Sequence, residues 1–166
     1  VVLTADYPYV ARVETCKSPE STQNVSADDV YYVDGTANGV KEALCEGPIT
    51  LTVKANGPFM SYSGGVMTSA ACGSMASFEQ DHCVMATGFN TTAPTPYWIV
   101  RNSWASTWGE KGYIYLEYSK NTCGLADDAT IPTVSLNLSP EQEAKAAASR
   151  ESMFFQATAG AHRIIV

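Results

Sequence analysis

The sequence predicts an α+β fold of short antiparallel strands, short helices and long loops, and three observations predict it. Ile49, Leu51 and Val53 alternate with Thr50 and Thr52, the pattern of a half-buried strand. Three further runs, at residues 82–89, 97–101 and 112–118, read as strands separated by turn residues. Helical spacing recurs early only at Val40, Ala43 and Leu44, where Gly47-Pro48 ends a short helix.

Residues 1–16 read as a loop around Tyr7-Pro8-Tyr9, since a proline pushes the residue before it towards extended geometry. Residues 18–23 are polar and read as a surface loop. Residues 25–33, with Val30, Tyr31, Tyr32 and Val33, read as a strand that Asp34-Gly35 breaks. Gly57-Pro58 and Gly64-Gly65 punctuate a loop-rich stretch, and Pro94 and Pro96 fill the gap before residue 97. Residues 130–134 read as a last strand. Composition changes after Val134, which divides the chain into a domain over 1–134 and a tail over 135–166. Ser139-Pro140-Glu141-Gln142 is a capping-box pattern with proline at the first helical position, and predicts a helix over 140–150.

Hydrophobic residues make up 45% of the 166 and charged residues 16%, enough for a packed core. Lys plus Arg is 10 against 17 for Asp plus Glu, a formal net charge of −7 that argues against nucleic acid or an anionic membrane as partner. No run of about 18 apolar residues suggests a membrane-spanning helix. The opening residues lack the basic start and apolar stretch of a signal peptide, and read as though cut from something longer. The cysteines at 16, 45, 72, 83 and 123 form no CxxC pair, so no metal site is expected. Their spread suggests disulfides and an oxidising compartment. Acceptor patterns at Asn24, Asn90 and Asn137 point to a glycoprotein of the secretory route.

There are two histidines, His82 in an apolar run and His162 near the end. By itself His82 reads as a hydrogen-bonded core residue. Cys83 cannot act as its nucleophile, because neighbouring strand side chains point to opposite faces. Asn102-Ser103-Trp104, followed by Trp108-Gly109-Glu110-Lys111-Gly112-Tyr113, reads by itself as a structural turn. Together with Asp81-His82-Cys83-Val84, that turn resembles the histidine strand and asparagine turn of the papain-like cysteine peptidases. Tyr7-Pro8-Tyr9, Gly47-Pro48-Ile49, Tyr62-Ser63-Gly64-Gly65-Val66, Tyr97-Trp98-Ile99-Val100 and Cys123-Gly124-Leu125 resemble further segments of that family, in the family's order. The Pro-containing step of 20 residues from His82 to Asn102 is most similar to the cathepsin L-like branch. No C-G-S-C-W-like nucleophile segment occurs; Cys72-Gly73-Ser74 runs on to Met75 and Ala76.

The resemblance implies the second half of the papain-like fold, an antiparallel β-barrel, with the nucleophilic cysteine carried on a missing first half. It implies a peptide-bond hydrolase in which His82 activates the thiol and Asn102 orients His82 under the shield of Trp104. Asp81, Trp108, Thr52 and Asp128 become substrate-cleft residues, the last two walling the second subsite. Cys72 and Cys123 become a disulfide, Cys16 a partner of the missing half, and Cys45 and Cys83 reduced thiols. Cys45 also reads as a small buried hydrophobe of its helix. Implied partners are peptide or protein substrates, the N-terminal half, and a propeptide or cystatin-type inhibitor. No cofactor is implied, and the compartment would be lysosomal or secreted. The chain alone is expected to be inactive and to self-associate through the face the first half would cover. Cys83 and Ala105 replace smaller residues usual in the family and add volume near the site. That leaves open a non-catalytic homologue that works as a binding module.

Overall fold

The protein's structure, a computed structural model, describes residues 8–15, 27–73, 79–118, 120–133, 140–141 and 144, and the backbone of 162–164. In chain order the elements are β1 (Asp29–Tyr32), α1 (Ala37–Glu46), β2 (Ile49–Val53), α2 (Gly57–Met60), β3 (Val66–Met67), α3 (Ser69–Cys72), β4 (His82–Asn90), β5 (Tyr97–Arg101), β6 (Tyr113–Glu117), β7 (Ala129–Thr133) and β8 (His162–Ile164). The expected fold class, α+β with short helices and long loops around an antiparallel sheet, is the one observed. The main sheet runs β1-β7-β2-β4-β5-β6-β3, with β8 beside β4. Its pairings are antiparallel except for the short parallel contact of β3 with β6.

The alternation at residues 49–53 does what a period of two requires. Ile49, Leu51 and Val53 are fully buried, while Thr50 is exposed and Thr52 half-buried. α1 starts where Thr36 Oγ1 accepts the Gly39 amide at 3.1 Å, and it buries Val40 and Leu44 against the sheet. Val84, Ala86, Val100, Ile114 and Leu116 complete the centre of the core. Cys72 and Cys123, both in that core, form the disulfide with Cα atoms 5.3 Å apart. Closing a loop of sequence separation 51 restricts the unfolded chain, worth about 4 kcal/mol in the chain-entropy account.

The loop-rich reading of the fifties and sixties misses three short elements. Asn56 Oδ1 accepts the Phe59 amide at 3.1 Å and Pro58 sits in the first turn, so a cap and a preset φ make α2. α3 and β3 follow within a dozen residues. Of the expected tail helix, Pro140, Glu141 and Ala144 are helical, and the remainder of 140–150 lies outside the described residues. The strand β8, not foreseen, continues the edge of β4 where β2 leaves off: β2 pairs with His82 to Ala86 and β8 with Gly88 to Asn90. No helix of the described residues is long and apolar enough to cross a membrane.

β4 and β5 position the site. Met85 pairs with Arg101, and carrying that register outward puts Val84 opposite Asn102 after one residue and His82 opposite Trp104 after three. Thr87 is the extra residue of a bulge further along; it is buried and donates from Oγ1 to the Ile99 carbonyl at 3.3 Å.

Candidate active site

His82 opens β4, half-buried, and its Nε2 lies 2.8 Å from Asn102 Oδ1. The same Oδ1 accepts the Ser103 backbone amide at 2.8 Å. A backbone N–H can only donate, so the atom facing it is the amide oxygen, and the ring nitrogen facing that oxygen must carry a proton. Nε2 therefore donates, and Nδ1 is the nitrogen left for other chemistry. Asn102 is itself held: it is 8% exposed and its backbone amide donates to the Gly112 carbonyl at 2.9 Å.

An aromatic stack encloses this pair. The Trp104 ring lies over His82 with centroids 4.8 Å apart and planes 28° from parallel. Phe59 is the hub beneath: it meets His82 edge-on at 6.1 Å, Trp104 at 5.7 Å and Trp108 at 5.4 Å. Trp108 is fixed by its indole N–H, which donates to the Met60 carbonyl at 3.0 Å, and by Tyr62 at 5.6 Å. Apolar rings around a hydrogen bond exclude water and strengthen it. Phe59 was not singled out in the sequence; the Asn56-Gly57-Pro58 helix start just before it was the available signal.

Asp81 stands outside the stack. Lys54 Nζ lies 2.7 Å from its Oδ2, and its Oδ1 accepts the Ala55 amide at 2.8 Å. The Lys54 hydrogen bond, then the Ala55 amide, hold this exposed carboxyl below its ordinary value. Thr52 and Asp128 come together elsewhere: Thr52 Oγ1 donates to the Asp128 carbonyl at 3.3 Å and to Gln80 Oε1, and Gln80 Nε2 donates to the Gly124 carbonyl. The Asp128 side chain is half-buried beside this knot. Thr52 pairs across the sheet with Cys83 and Val53 with His82. Alternation therefore puts Thr52 on the sheet face opposite His82. Lys54 and Gln80 are partners that the sequence did not announce.

Two expectations need correction. Cys45 is exposed, not buried, and its thiol donates to the Lys41 carbonyl at 3.5 Å one helical turn back. Asn90 is 5% exposed and its Oδ1 accepts from Thr92 N, Thr92 Oγ1 and Ala93 N, so the folded chain commits this acceptor side chain to a turn. Asn24, Asn137 and Cys16 lie outside the described residues. The volume that Cys83 adds does not crowd His82. Cys83 is exposed and sits on the face away from His82. Ala105 has φ 69°, so its departure from glycine is a backbone matter. Among the described residues no three His, Cys, Asp or Glu side chains gather as metal ligands would.

Thiol protease aleurain of Arabidopsis thaliana is 35% identical over 78% of this chain and 36% of its own length. Bromelain from Ananas comosus, solved in complex with the E64 inhibitor, superposes with a TM-score of 0.69 at 33% identity, covering 81% of this chain and 63% of that one. Digestive procathepsin L 3 of Tenebrio molitor larval midgut gives a TM-score of 0.71 at 29% identity, covering 80% and 43%. The chain spans less than half the length of the curated relatives it matches. The family pattern described as papain family cysteine protease matches residues 1–133, and the chain belongs to that family.

Proposed function

We propose that this chain is the His- and Asn-bearing half of a cysteine endopeptidase whose nucleophilic thiol lies on a segment outside this sequence. The observation that carries the reading is the 2.8 Å contact of His82 Nε2 with Asn102 Oδ1 beneath Trp104, which leaves Nδ1 for a sulfur. A thiol attacks well only as thiolate, and an imidazolium beside it stabilises that form. His82 would take the thiol proton at Nδ1, and the thiolate would attack the peptide carbonyl carbon. The imidazolium would then protonate the leaving amine, and water would cleave the thioester. An amide suits the Asn102 position because it orients the ring without a full charge on it. Trp108 and Asp81 would border the leaving-group side of the cleft. Thr52 and Asp128 would wall a pocket in which a carboxylate admits a basic as well as an apolar side chain. Partners on this reading are peptides or proteins, the N-terminal half, and a propeptide or cystatin-type inhibitor, in a lysosomal or secreted setting. A non-catalytic role has less support, because Cys83 faces away from His82 and the ring–amide pair is intact at 2.8 Å.

The test is labelling of the natural full-length parent with an epoxide-type thiol probe. The wild-type parent should be labelled on a cysteine outside these 166 residues, and His82→Ala should abolish labelling while the protein stays folded. A parent that is never labelled, or is labelled equally with alanine at position 82, would sink the catalytic reading.

A further inference from the structure

We propose that a cavity beside the Asn102 turn binds a tetrahedral oxyanion, a phosphate or sulfate group, independently of peptide hydrolysis. The cavity measures about 370 Å³ and its walls include Arg101, Asn102, Ser103, Ser106, Lys111 and Tyr113. No carboxylate lines it, in a chain where acids outnumber bases 17 to 10. Glu110, the neighbour of Lys111, is turned to other work: its Oε1 accepts the Gly65 amide at 3.1 Å. The ion pairs among the described residues join Arg12 to Glu14 and Lys54 to Asp81, which leaves Arg101 and Lys111 without a carboxylate partner there.

Donors dominate the remaining wall. Ser103, Ser106 and Tyr113 each bring a hydroxyl-bearing side chain to it. Two cations and several donors with no fixed acceptor charge describe a site for an anion. A carboxylate has two oxygens and leaves most of these donors idle; a phosphate or sulfate offers three or four. The guanidinium of Arg101 has the planar fork that such groups take bidentately. The walls are tied together by the Asn102 amide on the Gly112 carbonyl at 2.9 Å and the Gly112 amide on the Trp108 carbonyl at 2.7 Å. The volume lies in the usual range for small-ligand sites and exceeds what a bare phosphate fills, so a monoester fits as well as the free ion.

The experiment is an amide NMR titration of the full chain with inorganic phosphate and, separately, with glucose 6-phosphate, at constant ionic strength. Saturable shifts are expected at Ser103, Ser106 and Lys111. Arg101→Met and Lys111→Met should each weaken binding by roughly tenfold. Both residues are exposed, so the variants should keep the wild-type spectrum elsewhere. A second measurement uses only the wild type: phosphate should slow acetylation of Lys111 relative to Lys41 and Lys54. Tighter binding of phosphate identifies a free anion, and tighter binding of the sugar phosphate identifies an ester. Shifts that never saturate, shifts unchanged in both variants, or equal protection of all three lysines would overturn the proposal.

Discussion

Ala105 carries the φ of a glycine, 69°, in the turn that follows Trp104. Left-handed backbone costs a residue with a Cβ roughly 1–2 kcal/mol, and glycine gives back part of that as unfolded-chain entropy. Ala105→Gly should therefore raise stability by about 0.5–1 kcal/mol in urea unfolding, and an unchanged or lower midpoint would show that the turn stores no strain. Two side chains make the stability depend on pH in opposite directions. The Asp81 carboxyl is held below its ordinary value by Lys54 and Ala55, so its contribution is present above pH 3.8 and disappears as pH falls through the lowered folded value. Asp81→Asn should flatten the acid limb of a stability–pH curve; an identical limb in both proteins would mean the Lys54 contact is inert. Burial pushes the Tyr62 hydroxyl up to about 12, and it donates to the Gly65 carbonyl at 2.6 Å. The folded state holds this proton more tightly than the unfolded chain, so the contribution is whole below pH 10 and is lost between 10 and about 12. Tyr62→Phe should be less stable at pH 8 yet lose less than wild type over that alkaline window, as read by circular dichroism.

The turn between β5 and β6 is the element on which the site depends. Gly109 has φ 54°, and a Cβ there would stand 2.5 Å from the Tyr113 carbonyl oxygen and 2.8 Å from the Tyr62 ring. Backbone cannot yield as a flexible side chain would, so Gly109→Ala should cost about 2 kcal/mol or more and displace Trp108. A variant with wild-type stability and unchanged Trp fluorescence would refute that account. The same turn shows what could be read from residues alone. Strands with clean alternation or dense β-formers, β2, β4, β5 and β6, lie where the sequence puts them, because burial of one face dictates their register. The pairing of His82 with Asn102 was legible only as a resemblance, since its contact joins residues 20 apart and depends on the β4–β5 register. Phe59, Lys54 and Gln80 were not legible. Phe59 sits in a helix of four residues, too short for a periodic signal, and Lys54 and Gln80 matter through partners distant in sequence.

At the scale of the molecule, the surface is less finished than the core. Among the described residues β1 is the end strand of the sheet, bonded to β7 on one side, and all four of its residues are exposed. Tyr32 is 82% exposed and Val30 and Tyr31 53% each, while Tyr9 and Val13 are almost entirely bare. An edge strand with unpaired backbone groups and apolar side chains is a template for a second chain, and neither lysine nor proline interrupts β1. The net charge of −7 opposes association only weakly at physiological ionic strength, where charges are screened beyond about 8 Å. The isolated chain should consequently self-associate as its concentration rises, seen as a growing sedimentation coefficient. Tyr32→Lys should reduce that growth without loss of fold, because the side chain contributes almost no burial to lose. In a parent protein that covers this face, the same substitution should instead weaken the packing of whatever segment lies on it. A wild-type chain that stays monomeric at high concentration would mean that β1 is protected by residues of its own polypeptide, and the reading of this face as unfinished would fall.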